Sequence, residues 1–334
     1  LKPQDETNEK NFPPAKFSAE KLRGIMLPFT TPFDENGGVN LSAIRSNIEK
    51  WNRTGVSGHI VLGSTGERVH LSERECLKVI EAARAAVPEQ LSFIVGAGQQ
   101  STQATIDEVR GVAEAGADAV LVITPHFYRA EMTQNALVNH YRAVADASPV
   151  PLLLYSVPQF TNVTLQPETI ARLSEHEIIV GVKDSSGDIL NLAETVRLVP
   201  NDFAVLTGNG SALYPALCVG ARGAILAVGC LAPRLAVAIY EAFAVGEHER
   251  ARDMQQQLTK LTRGISGRYG ISGLKAALDM LGYAGGHVRA PLSEASAEAR
   301  REIAAVLKET EILVDETGSD DEEEERLQAG ASIK

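Results

Sequence analysis

Cysteine is scarce in this chain of 334 residues, with three in all: Cys76, Cys218 and Cys230. Their spacing matches no zinc-ligand or redox motif. An odd, small number suits a reducing compartment rather than a disulfide-stapled fold, and each reads as a buried apolar side chain. Long apolar runs are missing too. No stretch of 18 or more apolar residues occurs, so no membrane-spanning helix is expected. The first 22 residues are polar, with Asp5, Glu6, Glu9 and Lys10, and lack the apolar centre of a secretory signal. The expected location is therefore cytoplasmic. Surplus positive charge is absent as well. The net charge is −11, and residues 315–326 hold eight acids and one arginine, which leaves the rest only mildly acidic. Nucleic acid is thus not an expected partner, and the acidic end reads as a solvated, disordered tail. The seven histidines form neither H-x-H nor H-E-x-x-H, so no metal or other cofactor is expected.

What is present is ordinary for a water-soluble globular protein: 44% hydrophobic and 22% charged residues. Short runs rich in Val, Ile and Leu recur at residues 24–29, 59–62, 92–96, 119–123, 151–155, 178–182, 203–206 and 223–227. Such runs read as strands buried on both faces. Helical patterns lie between them, over 41–53, from the capping-box signal at Ser72 and Glu75 to about 87, from Ser101 onward, over 167–173 and over 189–199. Eight such βα units predict a closed (β/α)8 TIM barrel. A doubly wound sheet would show a Gly-rich phosphate turn after the first strand, where this chain has Phe29-Thr30-Thr31-Pro32. Three further helices are expected over 247–262, 272–282 and 296–309, with breaks at Gly246 and across 264–273. The organisation predicted is a flexible segment 1–21, the barrel 22–245, a C-terminal three-helix extension 246–311 and a disordered tail 312–334.

Barrel enzymes carry their chemistry at the C-terminal ends of the strands. In that position stand Thr30 and Thr31, then Gly63, Ser64, Thr65, Gly66 and Glu67, then Gly96 to Gly98, Thr124, Tyr155, Lys183, Thr207 to Gly210, and Ala227 to Gly229. Lys183 is the single lysine of the set. A lysine ending a buried strand is costly, and desolvation favours its neutral amine, which can attack a carbonyl to form an imine. The competing reading is a lysine that reaches the rim or pairs with Asp184 or Asp188, and position alone leaves the two level. Tyr155 carries a phenol able to relay a proton; alone it reads equally as a core tyrosine with a satisfied hydroxyl. The small residues Gly63 to Gly66 offer free N–H groups and two hydroxyls to a carboxylate, or form an ordinary tight turn.

Taken together, G-S-T-G-E at 63–67, Tyr155-Ser156-Val157-Pro158, and G-V-K-D-S-S-G-D at 181–188 resemble the dihydrodipicolinate synthase / N-acetylneuraminate lyase superfamily of class I pyruvate aldolases, over about residues 22–292. The resemblance implies a lyase acting through a Schiff base on Lys183. It implies Tyr155 as general acid/base that also helps bind the 2-oxo carboxylate, the turn at Gly63, Ser64 and Thr65 as carboxylate holder, and Thr65 in a proton relay with Tyr155. It further implies pyruvate and an aldehyde as small-molecule partners, and a homotetramer. The segments 101–105, 155–158 and 268–275 look most like 4-hydroxy-2-oxoglutarate aldolases, so a 4-hydroxy-2-oxo acid aldolase is the leading expectation. Dihydrodipicolinate synthase, a sugar-acid aldolase or dehydratase, and a non-catalytic 2-oxo-acid binder are the alternatives.

Two positions depart from the superfamily pattern. Phe160 stands where the synthases carry an arginine, and phenylalanine cannot grip a carboxylate bidentately. Phe127 stands where the family usually has a tyrosine that crosses a subunit interface and joins the proton relay. Either Tyr128, His126 or a water substitutes, or the relay is altered.

Overall fold

The computed structural model describes Phe17 and residues 19–312. Eight parallel strands close in sequence order: β1 (Gly24–Pro28), β2 (Gly58–Val61), β3 (Ser92–Ala97), β4 (Ala119–Ile123), β5 (Leu152–Ser156), β6 (Ile179–Asp184), β7 (Ala204–Thr207) and β8 (Gly223–Ile225), with β8 pairing back to β1. Helices fill the connections, so this is the (β/α)8 TIM barrel that the alternation predicts. Strand residues sort by a period of two. Met26, Ile60, Ile94, Leu121, Leu153 and Leu206 pack together inside the barrel. Ile25, Leu27, Phe93, Val95, Val120, Val122, Leu152 and Leu154 pack outward against the helices. Both faces are apolar, which is why the strands read as continuous hydrophobic runs.

Local signals set the helix starts. Ser72 and Glu75 form the reciprocal capping box before the helix Glu73–Arg84, and Ser101 accepts from Ala104 at the start of Thr102–Glu114. After the barrel come His248–Leu261, Gly267–Met280 and Ala297–Glu309, the expected C-terminal helices. The break expected across 264–273 does not occur as such. A π-helical turn, Thr262–Ser266, carries the chain from one helix into the next, and the irregularity falls at Gly270 (φ 59°, ψ −144°). Glycine there bends a continuing helix instead of ending it.

Most of the expected flexible segment lies outside the described residues. Phe17 and Ala19, which are described, are buried with the barrel interior, and Ala19–Leu22 forms a 3-10 turn. The expected tail also lies outside the described residues except for Ile312, which is buried. Among the described residues no helix is long and apolar enough to cross a membrane. The cysteines differ from the expectation of uniform burial: Cys230 is buried and Cys76 partly so, but Cys218 is exposed, at the end of the short helix Leu213–Cys218.

Candidate active site

Lys183 lies within β6, one residue before its end, directly opposite Tyr155 of β5 and Leu206 of β7. Its inward aim depends on an irregularity. Opposite Leu152 and Leu153 stand Ile179 and Gly181, so Val180 is an extra residue in the ladder. Ile179 packs outward and Val180 inward; beyond the bulge Val182 packs outward again. Strict alternation from Ile179 would have turned Lys183 away from the barrel axis. The bulge resets the phase and places it beside the inward-facing Tyr155. Gly181 suits the spot, since a Cβ there would come within 2.6 Å of the Ala204 carbonyl oxygen.

The lysine is 4% exposed, and its Nζ sits 4.4 Å from the centre of the Tyr155 ring. Among the described residues it forms no ion pair. The two acids of the competing reading are engaged elsewhere. Asp184 accepts the Ser186 N–H at 2.7 Å, and burial pushes its carboxyl above the usual range against the pull of that bond. Asp188 caps the helix Ile189–Leu198 through the N–H groups of Leu190 and Asn191. Gly208, at the end of β7, leaves room for the lysine stem: a Cβ there would stand 2.9 Å from its Cε. The arrangement can therefore hold an amine out of water beside a phenol.

Tyr155 is 5% exposed, and its hydroxyl lies 3.4 Å from Ser64 Oγ. Ser64 is thus the hydroxyl partner of Tyr155 among the described residues. Gly63, Ser64 and Thr65 occupy the turn after β2. Its own bonds run from Gly66 N to Gly63 O (3.0 Å) and from Glu67 N to Ser64 O (3.3 Å), so the N–H groups of Ser64 and Thr65 stay outside them. The turn is entered through Leu62 and left through Glu67, both with left-handed backbone (φ 57° and 53°). A leucine at positive φ is an outlier, of the kind that collects where a turn must present specific groups. Thr30 and Thr124, near the ends of β1 and β4, bury hydroxyls that lack a partner among the described residues.

The two departures from the family pattern stand at the surface. Phe127 (72% exposed) and Tyr128 (70%) meet edge to face at 5.1 Å. Their loop is held by Gln100, whose side-chain oxygen accepts the N–H groups of His126 and Phe127. Phe160 is 69% exposed on the short helix Pro158–Thr161. Gln159 ties that helix to the β6 loop by donating to Ser185 O at 2.6 Å. The buried histidines are ordinary core residues: burial lowers His59 to about 3 and His140 to about 4. One residue near the site escaped prediction as a candidate. Lys275 Nζ is buried beneath the 63–67 turn, 2.5 Å from Glu67 Oε1. The available signal was a lysine inside the apolar run Leu274-Lys275-Ala276-Ala277-Leu278.

Residues 21–310 match the model of the Dihydrodipicolinate synthetase family. The 4-hydroxy-tetrahydrodipicolinate synthase of Methanothrix thermoacetophila is 36% identical over 287 residues, covering 86% of this chain and 96% of that protein. Among solved structures, the dihydrodipicolinate synthase of Thermotoga maritima superposes with a TM-score of 0.82 at 32% identity, over 87% of this chain and 99% of that one. The chloride-inhibited dihydrodipicolinate synthase of Acinetobacter baumannii, solved in complex with pyruvate, does so with a TM-score of 0.83 at 28% identity, over 87% and 99%. These relatives carry the synthase name, not that of the 4-hydroxy-2-oxoglutarate aldolases which the sequence segments resemble.

Proposed function

This chain belongs to the dihydrodipicolinate synthetase family of lyases, and from that premise we propose that it joins pyruvate to an aldehyde, or releases pyruvate from the adduct, through a Schiff base on Lys183. The observation that carries the reading is a lysine 4% exposed, without an acid partner among the described residues, 4.4 Å from the Tyr155 ring centre.

In the cleavage direction Lys183 Nζ adds to the C2 carbonyl. Tyr155 gives its proton to the departing hydroxyl, which leaves as water, and a protonated imine and a phenolate remain. The phenolate takes the C4 hydroxyl proton while the C3–C4 bond breaks. Its electron pair moves into the imine to give an enamine, and an aldehyde departs. The enamine is protonated at C3, and water releases pyruvate and the free amine. Ser64, Thr65 and the neighbouring backbone at Gly63 hold the 2-oxo acid carboxylate in this scheme. Ser64, 3.4 Å from the phenol, takes the relay position that the family resemblance assigns to Thr65. A homotetramer is part of the proposal; the exposed Phe127 and Tyr128 pair supports it.

The second substrate separates two readings. Phe160 favours a 4-hydroxy-2-oxo acid whose distal end needs no arginine. The names of the relatives favour 4-hydroxy-tetrahydrodipicolinate synthase. Removing the three carbons of pyruvate from that seven-carbon compound leaves an amino-acid aldehyde with a carboxylate to recognise. A panel decides: pyruvate release from 4-hydroxy-2-oxo acids with charged and uncharged distal groups, against condensation of pyruvate with aspartate semialdehyde. Pyruvate release from the 4-hydroxy-2-oxo acids, charged or uncharged at the distal end, supports the aldolase, and turnover confined to the semialdehyde supports the synthase.

A further inference from the structure

The 63–67 turn is fastened from beneath by the C-terminal extension. Lys275, in the helix Gly267–Met280, is 1% exposed, and its ammonium has three oxygen neighbours: Thr31 O at 2.7 Å, His287 O at 2.5 Å and Glu67 Oε1 at 2.5 Å. Thr31 O and His287 O accept hydrogen bonds from the ammonium, and Glu67 Oε1 pairs with it as an ion. The Phe33 ring centre lies 4.5 Å away, in cation–π range. Thr31 in turn donates its hydroxyl to Gly66 O at 2.7 Å. The bonds close a circuit from Lys275 through Thr31 and Gly66 to Glu67 and back. Glu67 is the residue whose backbone adopts left-handed φ at the exit of the turn.

A buried ion pair is a poor device for stability, because desolvating both charges offsets their attraction; well-packed apolar residues serve as well or better. Its distinctive property is geometry, since one ammonium fixes the β1 end and the turn after β2 at once. We propose that Lys275 and Glu67 are positioning residues that hold the 63–67 turn in the shape that receives the carboxylate of the 2-oxo acid. The proposal rests on the Schiff-base reading above and adds what sets the affinity of that site.

The test is the pyruvate dependence of borohydride trapping on Lys183 in the full-length chain, with thermal unfolding measured alongside. Lys275→Met and Glu67→Gln are each expected to raise the half-saturating pyruvate concentration about tenfold or more, with the adduct at saturation still on Lys183. The double variant buries no lone charge and stays folded if a single one does not. It is expected to recover the lost Tm yet keep the raised half-saturation. Unchanged half-saturation in the folded variants, or recovery of both quantities in the double variant, would overturn the proposal and reduce the pair to a stitch between helix and barrel. No adduct in the parent protein is a different result: it removes the Schiff-base premise, and the proposal falls with it.

Discussion

Among the described residues two lysines are buried, one at the end of a barrel strand and one in the C-terminal helices, and they are held in opposite ways. Lys183 and Lys275 are 4% and 1% exposed, and each ammonium lies within 4.5 Å of an aromatic ring centre. Lys275 has a carboxylate and two carbonyls around it. Lys183 has no acid partner among the described residues, because Asp184 and Asp188 serve the backbone of their own loop. At Lys275 burial lowers the proton affinity overall, and the Glu67 carboxylate opposes that effect. Lys275, with its carboxylate partner, is tied to the barrel; Lys183, without one, is the lysine proposed to meet a reactant.

The sharpest way to break the comparison is to remove each amine in turn. Lys183→Ala is expected to lose turnover by about 10⁴-fold or more and to give no trapped adduct. Tyr155→Phe keeps the ring and loses the phenol, and turnover is expected to fall about 10²- to 10⁴-fold with the fold intact. Steady-state kinetics and circular dichroism check both. Stability should then separate the lysines by sign. Lys275→Met strands Glu67 and is expected to cost about 3–5 kcal/mol in urea unfolding. Lys183→Met strands nothing and is expected to stabilise by about 1 kcal/mol. Equal shifts for the two would erase the distinction.

A smaller effect concerns the half-exposed clasp beside Lys275. Arg289 bonds both carboxylate oxygens of Glu75 as well as Gly37 O and His70 O. The Arg289 bonds, helped by Ser72, lower Glu75 from 4.5 to about 2. A carboxyl depressed in the folded state adds stability above its unfolded value and loses it as pH falls toward the folded one. Glu75→Gln should therefore flatten acid destabilisation between pH 4.5 and about 2, read by thermal melts across that range.

The barrel was legible because its strands are buried on both faces and its helices carry side-chain caps such as Ser72 and Ser101. Lys183 and Tyr155 were legible as strand-end residues, but not as neighbours on one face. That depends on the bulge at Val180, and a bulge changes no composition; Gly181 was its only trace. Lys275 was hidden for a related reason. Its sequence neighbours are apolar, and its partner Glu67 lies about two hundred residues earlier, so local pattern carries no sign of the pair. The exposure of Cys218 and the continued helix through Gly264 are tertiary outcomes of the same kind.

The central claim is that Lys183 is the amine that reacts. Incubation with pyruvate, reduction with borohydride and peptide mass mapping test it directly. The expected result is a single reduced adduct on Lys183, absent from Lys183→Ala. An adduct on another lysine, or none with pyruvate or larger 2-oxo acids, would contradict the account.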